Sequence, residues 1–404
     1  MNAKKWVLTF LLLALLLVLG LAAFNYVTDP FAAFGDRFLN WFSYDETNNP
    51  RVAKISYLEQ HHDEYDSYIL GCSSTSSLQV SDFNKLYDAN FYNLIMYGAD
   101  MRDCEKIADY LIEHYEVKHL VLNVYLDNGF TYDDETDRLT RNLHYLTDPD
   151  TSALSFYTRY LFCDPRYGFA KLKNLRNDRL LPKSFDVFNE VTGEYDKRVR
   201  DVEPIGSMDT YLEAYPVFAD YPKTGDFVLG QTENCMKSVA AIKERCEAAD
   251  VELVVVAAPV YIDYFQNFQA EDVANFYASL AKVTDFWDFS CSSVSCEPRY
   301  FYDATHFRNA VGSMIAARIA GDDSVYIPDD FGTYVTADTP SSYFSEVLQA
   351  TALPDETVSR DVPVLMWHNL AEESSGDMTI SVDTFRAQIE ALHEAGFKTV
   401  SLQQ

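Results

Sequence analysis

The longest uninterrupted apolar run comes first: from Trp6 to Thr28 no side chain is charged, and Leu8 to Leu21 is dominated by leucine. Such a run is long enough to cross a hydrocarbon layer of roughly 30 Å. Further along, short stretches rich in β-branched and aromatic residues predict strands over 67–70, 90–94, 119–124, 252–257 and 283–287. A 3.6-residue period predicts helices between them. These cover 103–115, with Ile107, Leu111 and His114 on one stripe, 230–249, with Val239, Ile242 and Cys246, 271–282, and 309–319, with Val311, Ile315 and Ile319. Strand and helix alternating in this way predict an α/β fold with a parallel sheet covered by helices on both faces. In such sheets, sites collect at the carboxyl ends of the strands.

Two stretches break the alternation. About 130–222 forms a long insertion in which Arg138, Arg141, His144, Arg159, Arg166 and Arg176 stand among aromatic residues such as Tyr145, Tyr157, Tyr160 and Tyr167. On an acidic chain this basic content is either a substrate groove or lid, or a solvated subdomain with ordinary ion pairs. Nothing in the sequence pairs with His144, which reads as structural. Residues 327–361 are acidic, with Pro328, Pro340 and Pro354 and no sustained period, and read as a linker. Order then returns with a short strand over 362–368, a helix from Val382 to Ala395 capped at Gly396, and a strand over 399–402. The division is a membrane anchor at 1–30, a main domain at 31–326, the linker, and a terminal fragment at 362–404.

Charge narrows the partners. The chain has 404 residues and a formal net charge of −30, which repels nucleic acid phosphates at long range. A neutral or amino-sugar polymer suits it better. Aromatic residues make up 15%, and ordinary packing or stacking on sugar rings accounts for them. Lys4 and Lys5 before the apolar run keep the N-terminus cytoplasmic and place everything after Asp29 outside. Leu21-Ala22-Ala23 offers a cleavage site for the competing signal-peptide reading, but the run continues past those alanines, which favours an uncleaved anchor. Seven cysteines on that side leave at least one thiol free. Cys291 and Cys296 are close enough to close a short loop, Cys104 and Cys163 read as small buried hydrophobes, and Cys72 is expected to pack beneath a strand end.

The chemistry lies at two places about 230 residues apart. Gly71-Cys72-Ser73 follows the apolar Tyr68-Ile69-Leu70, and Asp303-Ala304-Thr305-His306 precedes a predicted helix. A serine hydroxyl needs a general base within hydrogen-bond reach and a third group that fixes the base's tautomer. Ser73, His306 and Asp303 supply these roles. Gly71 is expected to permit a sharp turn, and 74–77 to open a helix whose N–H groups face developing negative charge. A serine cluster alone also reads as a plain helix cap; His306 is what lifts it above that.

These residues resemble the SGNH (GDSL-like) hydrolase superfamily, in the membrane-anchored branch that works on cell-envelope polymers. Gly71-Cys72-Ser73 matches the first block, with Cys72 where the family usually has aspartate; Tyr92-Asn93-Leu94 through Gly98 resembles the second, and Asp303-Ala304-Thr305-His306 the last. The likeness covers about 60–320, with Gly312 inside the helix after the last block. It implies a flavodoxin-like three-layer sandwich, with Ser73, Asp303 and His306 catalytic and backbone oxyanion donors at Ser73 and Gly98. The third block usually gives an asparagine side chain. There is no Gly-x-Asn-Asp here; Asn123 lies within a predicted strand, and Asn128, beyond its end, is the positional candidate. Loss of one oxyanion donor lowers rates roughly a hundredfold or more.

The last 43 or so residues resemble the opening of the polysaccharide deacetylase (NodB-homology) family, through Val362-Pro363-Val364-Leu365-Met366-Trp367-His368, then Phe385 and Gly396-Phe397-Lys398-Thr399-Val400-Ser401-Leu402. That family's Thr-Phe-Asp-Asp segment and paired-histidine metal motif are not in this sequence, so no deacetylase activity, metal or cofactor is expected of it. The two resemblances together imply an extracytoplasmic serine esterase or O-acyltransferase acting on an acylated envelope or exported polysaccharide. Envelope polysaccharide assembly proteins are the expected partners. The alternative is a catalytically weak glycan-binding or scaffold domain of the same system.

Overall fold

The computed structural model describes residues 3–39, 48–126, 138–180, 187–196, 206–218, 225, 227–340, 342–351, 365–373 and 378–395. Two compact units emerge, one of Met1–Gly321 with Ile327–Asp355 and a smaller one of Asp322–Tyr326 with Glu356–Gln404.

The larger unit begins with helix α1 (Ala3–Thr28), long and apolar enough to cross a membrane. Helix α2 (Pro50–His61) follows, started by Pro50 in its first turn and by the Asn49 side chain, which accepts the Arg51 N–H. Strand β1 (Ser67–Gly71) leads through a 3₁₀ turn (Ser73–Ser77) and α3 (Val80–Tyr87) to β2 (Phe91–Ile95). Next come α4 (Met101–His114) and β3 (His119–Val124). The insertion contributes α5 (Ala153–Leu161), α6 (Pro165–Leu180), the hairpin β4 (Val187–Phe188) and β5 (Tyr195–Asp196), and α7 (Met208–Ala214). The sheet resumes with α8 (Thr232–Ala248), β6 (Glu252–Ala257), α9 (Ala270–Val283), β7 (Phe286–Asp288) and α10 (Asn309–Ala320).

Strand order in the main sheet is β2-β1-β3-β6-β7-β8, parallel except for the antiparallel edge strand β8 (Thr333–Val335). Every residue of β1 and β2 is buried, as in a sheet covered on both faces. One face (Tyr68, Leu70, Leu120, Leu122) packs with Ile107 and Leu111 of α4, Val239 and Ile242 of α8, and Phe276 and Leu280 of α9. Each such aliphatic side chain contributes about 1.5–3 kcal/mol on burial. The chain moves from β1 to β2 on one side and then to β3 on the other, so a topological switch lies at the carboxyl end of β1.

Several expectations shift. Val283 closes α9, and β7 starts at Phe286. On α4 the buried stripe is Cys104, Ile107, Ala108 and Leu111, while His114 is exposed. The described residues between Ile327 and Thr351, expected in a linker, pack onto the main sheet. Arg318 donates to the carbonyls of Phe331 (2.8 Å) and Pro328 (2.7 Å), β8 joins the sheet, and α11 (Ser342–Thr351) places Phe344 in the core. The seven cysteines are all free thiols, Cys291 and Cys296 included.

The smaller unit holds a parallel pair, β9 (Asn369–Ala371) and β10 (Thr379–Ser381), and α12 (Val382–Glu394). Ser381 caps this helix by accepting the Thr384 N–H at 3.1 Å. Leu365–His368, expected in a strand, precede β9 instead. The strand expected over 399–402 lies outside the described residues.

Candidate active site

Ser73 opens the 3₁₀ turn at the end of β1, at the switch point. Gly71 is required for space, not for its backbone angle: a Cβ there would lie 2.1 Å from Thr75 Oγ1 and 3.0 Å from Asn123 Cβ, and its φ is not positive. The turn after Ser73 is a five-residue 3₁₀ segment instead of the opening of an α-helix, so little helix dipole is available there. Side-chain amides hold it in place. Asn93 Nδ2 donates to the carbonyls of Thr75 (3.1 Å) and Leu78 (3.0 Å), and Asn123 Nδ2 donates to Ser74 Oγ (3.0 Å) and Thr75 Oγ1 (3.2 Å).

The partner loop comes from the far end of the chain. His306 Nε2 lies 2.8 Å from Ser73 Oγ, and His306 Nδ1 lies 2.8 Å from Asp303 Oδ2. Asp303 Oδ1 also accepts the backbone N–H of Thr305 (2.8 Å) and of His306 (3.0 Å) and the Thr305 hydroxyl (3.1 Å). Burial raises the Asp303 carboxyl, but these donors and the His306 ring outweigh it and bring the carboxyl down to about 2. The result is an ionised carboxylate that fixes the imidazole with Nδ1–H toward Asp303 and Nε2 toward the serine.

Contacts outside the triad brace the loop. Tyr302 N–H donates to the His306 carbonyl at 2.7 Å, and Tyr261 N–H to that of Ala304 at 2.9 Å. Arg308 stacks over the Tyr302 ring at 4.6 Å and donates to the Tyr211 hydroxyl at 3.1 Å. That hydroxyl donates to the Phe301 carbonyl. Tyr211 belongs to α7, so the insertion packs against the histidine loop.

Gly98 has φ +51°, and its loop follows β2, with the N–H of Met96, directly after that strand, donating to the Gly71 carbonyl at 3.1 Å. Among the described residues, neither the Ser73 nor the Gly98 N–H is donated to another group. Arg141 lies against Gly98, with Nη2 3.0 Å from where a Cβ would stand. Asn128 lies outside the described residues. Asn123 is buried with its amide committed to the serine turn, a supporting position instead of a donor to an oxyanion. His144 is buried too, and burial pulls its ring down to about 3. Cys72 packs in the core as expected, with Sγ 3.2 Å from Ser74 Oγ.

The bracing residues Thr305, Asn93, Arg308 and Tyr211 are not among the site residues expected from the sequence. Thr305 sits inside the Asp-x-x-His motif and was open to inspection; Tyr211 carries no local signal. A cavity of about 630 Å³, lined by residues such as Tyr26, Phe34, Glu59 and Tyr157, includes no member of the triad. The triad geometry is the better guide to chemistry. Among the described residues no group of His, Cys, Asp and Glu is arranged to hold a metal. Comparison with protein-family models gives no match, and none is found among curated proteins.

Proposed function

We propose that this chain is an SGNH-type serine esterase or O-acyltransferase that acts on an acylated cell-envelope or exported polysaccharide through an acyl-enzyme at Ser73. The observation that carries the reading is the continuous relay Ser73–His306–Asp303, with both ring nitrogens at 2.8 Å from their partners. The flavodoxin-like assignment draws support from the parallel strands, which taken in chain order run 2-1-3-4-5 across the sheet.

In the first half-reaction Ser73 Oγ attacks the acyl carbonyl while His306 Nε2 takes its proton. The N–H groups of Ser73 and Gly98 are the proposed donors to the resulting oxyanion. Collapse breaks the ester C–O bond, and His306 returns the proton to the leaving alcohol. In the second half-reaction His306 deprotonates water, for an esterase, or a sugar hydroxyl, for a transferase, and Ser73 leaves with the proton. Helix α1 crosses the cell membrane in this reading, with Lys4 and Lys5 inside and the main domain outside.

The test incubates the full chain with an activated acetyl ester and with an acetylated amino-sugar polymer, comparing wild type with Ser73→Ala. Acetyl-Ser73 trapped by mass spectrometry and lost turnover in the variant support the assignment. Equal turnover in both removes Ser73 as nucleophile, and polymer binding without turnover gives the scaffold reading in its place.

A further inference from the structure

The last turns of α1 are built into the folded domain. Asn25 Nδ2 donates to the carbonyls of Leu161 (3.0 Å) and Cys163 (2.8 Å), at the turn between α5 and α6. Gly168 of α6 allows a close approach, since a Cβ there would fall 2.6 Å from both Phe24 and Thr28 side chains. Lys171 of α6 is buried and donates to the Asp29 carbonyl at 2.8 Å and to Asp36 at 2.6 Å. The α5–α6 hairpin is therefore fastened to residues 24–29.

Helix length locates this junction relative to a bilayer. Trp6 to Gly20 is solvent-facing apart from a half-buried Ala14, while Leu21 and Ala22 are half-buried and Asn25 and Thr28 fully buried. At 1.5 Å per residue, Trp6 to Gly20 covers about 22 Å. A hydrocarbon core is ~30 Å thick, and tilt only shortens the reach. A reach of about 30 Å takes about 20 residues from Trp6, so the span must run through Leu21 to Asn25 and into the segment to which the hairpin is fastened.

The hairpin surface beside that segment matches a bilayer boundary. Phe162 (45% exposed), Phe169 (62%) and Leu172 (38%) present apolar side chains outward, and the Phe169 ring lies 4.7 Å from Phe24. On α1 itself Tyr26 and Val27 are exposed, and Phe38 meets Tyr26 at 5.7 Å. In a chain of net charge −30, residues 153–180 hold six Lys or Arg and two Asp, with Arg159, Arg166 and Lys173 exposed. Outward aromatic and aliphatic residues with interspersed cations are the composition of a helix lying in a lipid headgroup layer.

We infer that the α5–α6 hairpin docks into the outer headgroup region of the bilayer beside α1, with Phe162, Phe169 and Leu172 inserted and the basic residues facing anionic lipid. This rests on α1 crossing the membrane. It fixes the main domain against the lipid surface in place of a free tether, so the substrate of the Ser73 site is met close to the membrane.

The test uses the full chain reconstituted in phosphatidylcholine–phosphatidylglycerol vesicles with bromine at a shallow acyl position. Phe162→Trp and Phe169→Trp each add one emitter; Leu172→Trp reads the same face if the Phe24 contact is disturbed. Wild type against Trp6→Phe reports α1 separately. The expected result is blue-shifted added emission that is quenched by the brominated lipid and shielded from aqueous acrylamide. Added emission quenched by acrylamide alone, while Trp6 is still quenched by lipid, overturns the docking and leaves the span intact. Loss of lipid quenching at Trp6 as well overturns both.

Discussion

The Ser77 hydroxyl donates to the Phe307 carbonyl at 2.5 Å, joining the end of the Ser73 turn to the histidine loop across 230 positions of sequence. Gly312, one turn into α10, makes that approach feasible, since a Cβ there would stand 1.8 Å from the Ser77 carbonyl oxygen. Gly312→Ala must push α10 away from the serine turn and is expected to cost about 1–3 kcal/mol, as overpacking does. Ser77→Ala removes one hydrogen bond and should cost about 1 kcal/mol. Both should slow acylation of Ser73 more than they weaken ester binding. Thermal unfolding and single-turnover acylation measure the two effects, and a Gly312→Ala protein with wild-type values for both would show that the contact does not set the geometry.

Asp303 predicts a specific pH response. Its carboxyl is brought down to about 2 in the folded protein, from a model-peptide range near 3.9. A depressed carboxylate contributes stability that is fully present above the unfolded value and lost as pH falls toward the folded one. The stability difference between wild type and Asp303→Asn should therefore be constant above about pH 5 and shrink from there toward pH 2. At neutral pH the same substitution should lower acylation by about 10³–10⁴, because the imidazole loses its fixed tautomer. Denaturant titrations at stepped pH, with acylation rates at pH 7, check both parts.

The parts of this fold that could be read from sequence are those decided locally. Strands β3 and β6 occupy the ranges their sequences predict, since each carries a local apolar run, Leu120–Leu122 and Leu253–Ala257. The pairing of Asp303 with His306 was open in the same way, being three residues apart. Helix α2 was not, because its buried face includes Arg51 and Lys54, whose partners lie far off in sequence. Arg51 meets Asp103 at 2.8 Å, and Lys54 donates to the carbonyls of Asn93 (2.9 Å) and Gly193 (2.5 Å). Strand β8 is three residues long and sits among Asp, Gly and Pro, where no period can show. Only its pairing with β7 makes it a strand.

Asn123 is a polar residue near the carboxyl end of β3, between apolar Leu122 and Val124, and its position follows from the serine turn. The amide nitrogen holds Ser74 and Thr75, while Oδ1 has no partner among the described residues. Asn123→Ala should destabilise by about 1–3 kcal/mol, because two buried hydroxyls lose their donor. The turn that carries Ser73 then loosens, so kcat should fall while KM changes little. Steady-state kinetics on an activated ester decide this; a change confined to KM would assign Asn123 to substrate contact instead.

Asp29, directly after α1, should give a pH dependence of the opposite sign to that of Asp303. Burial raises its carboxyl to about 6, against the lowering effects of the Asp36 and Phe34 N–H groups and of Lys171. A group held above its unfolded value contributes stability that is fully present below about pH 4 and lost as pH rises through 6. The shift of about two pH units corresponds to roughly 3 kcal/mol between those limits. Asp29→Asn keeps the acceptor oxygen for the Phe34 and Asp36 N–H groups, both at 2.9 Å, and removes the titration. Relative to wild type, the variant should have similar stability at pH 4 and gain stability progressively toward pH 8. Unfolding of the two proteins in the same detergent across that interval measures the difference directly. A pH-independent difference would mean that Asp29 is ionised throughout, held by Lys171 more strongly than burial opposes it.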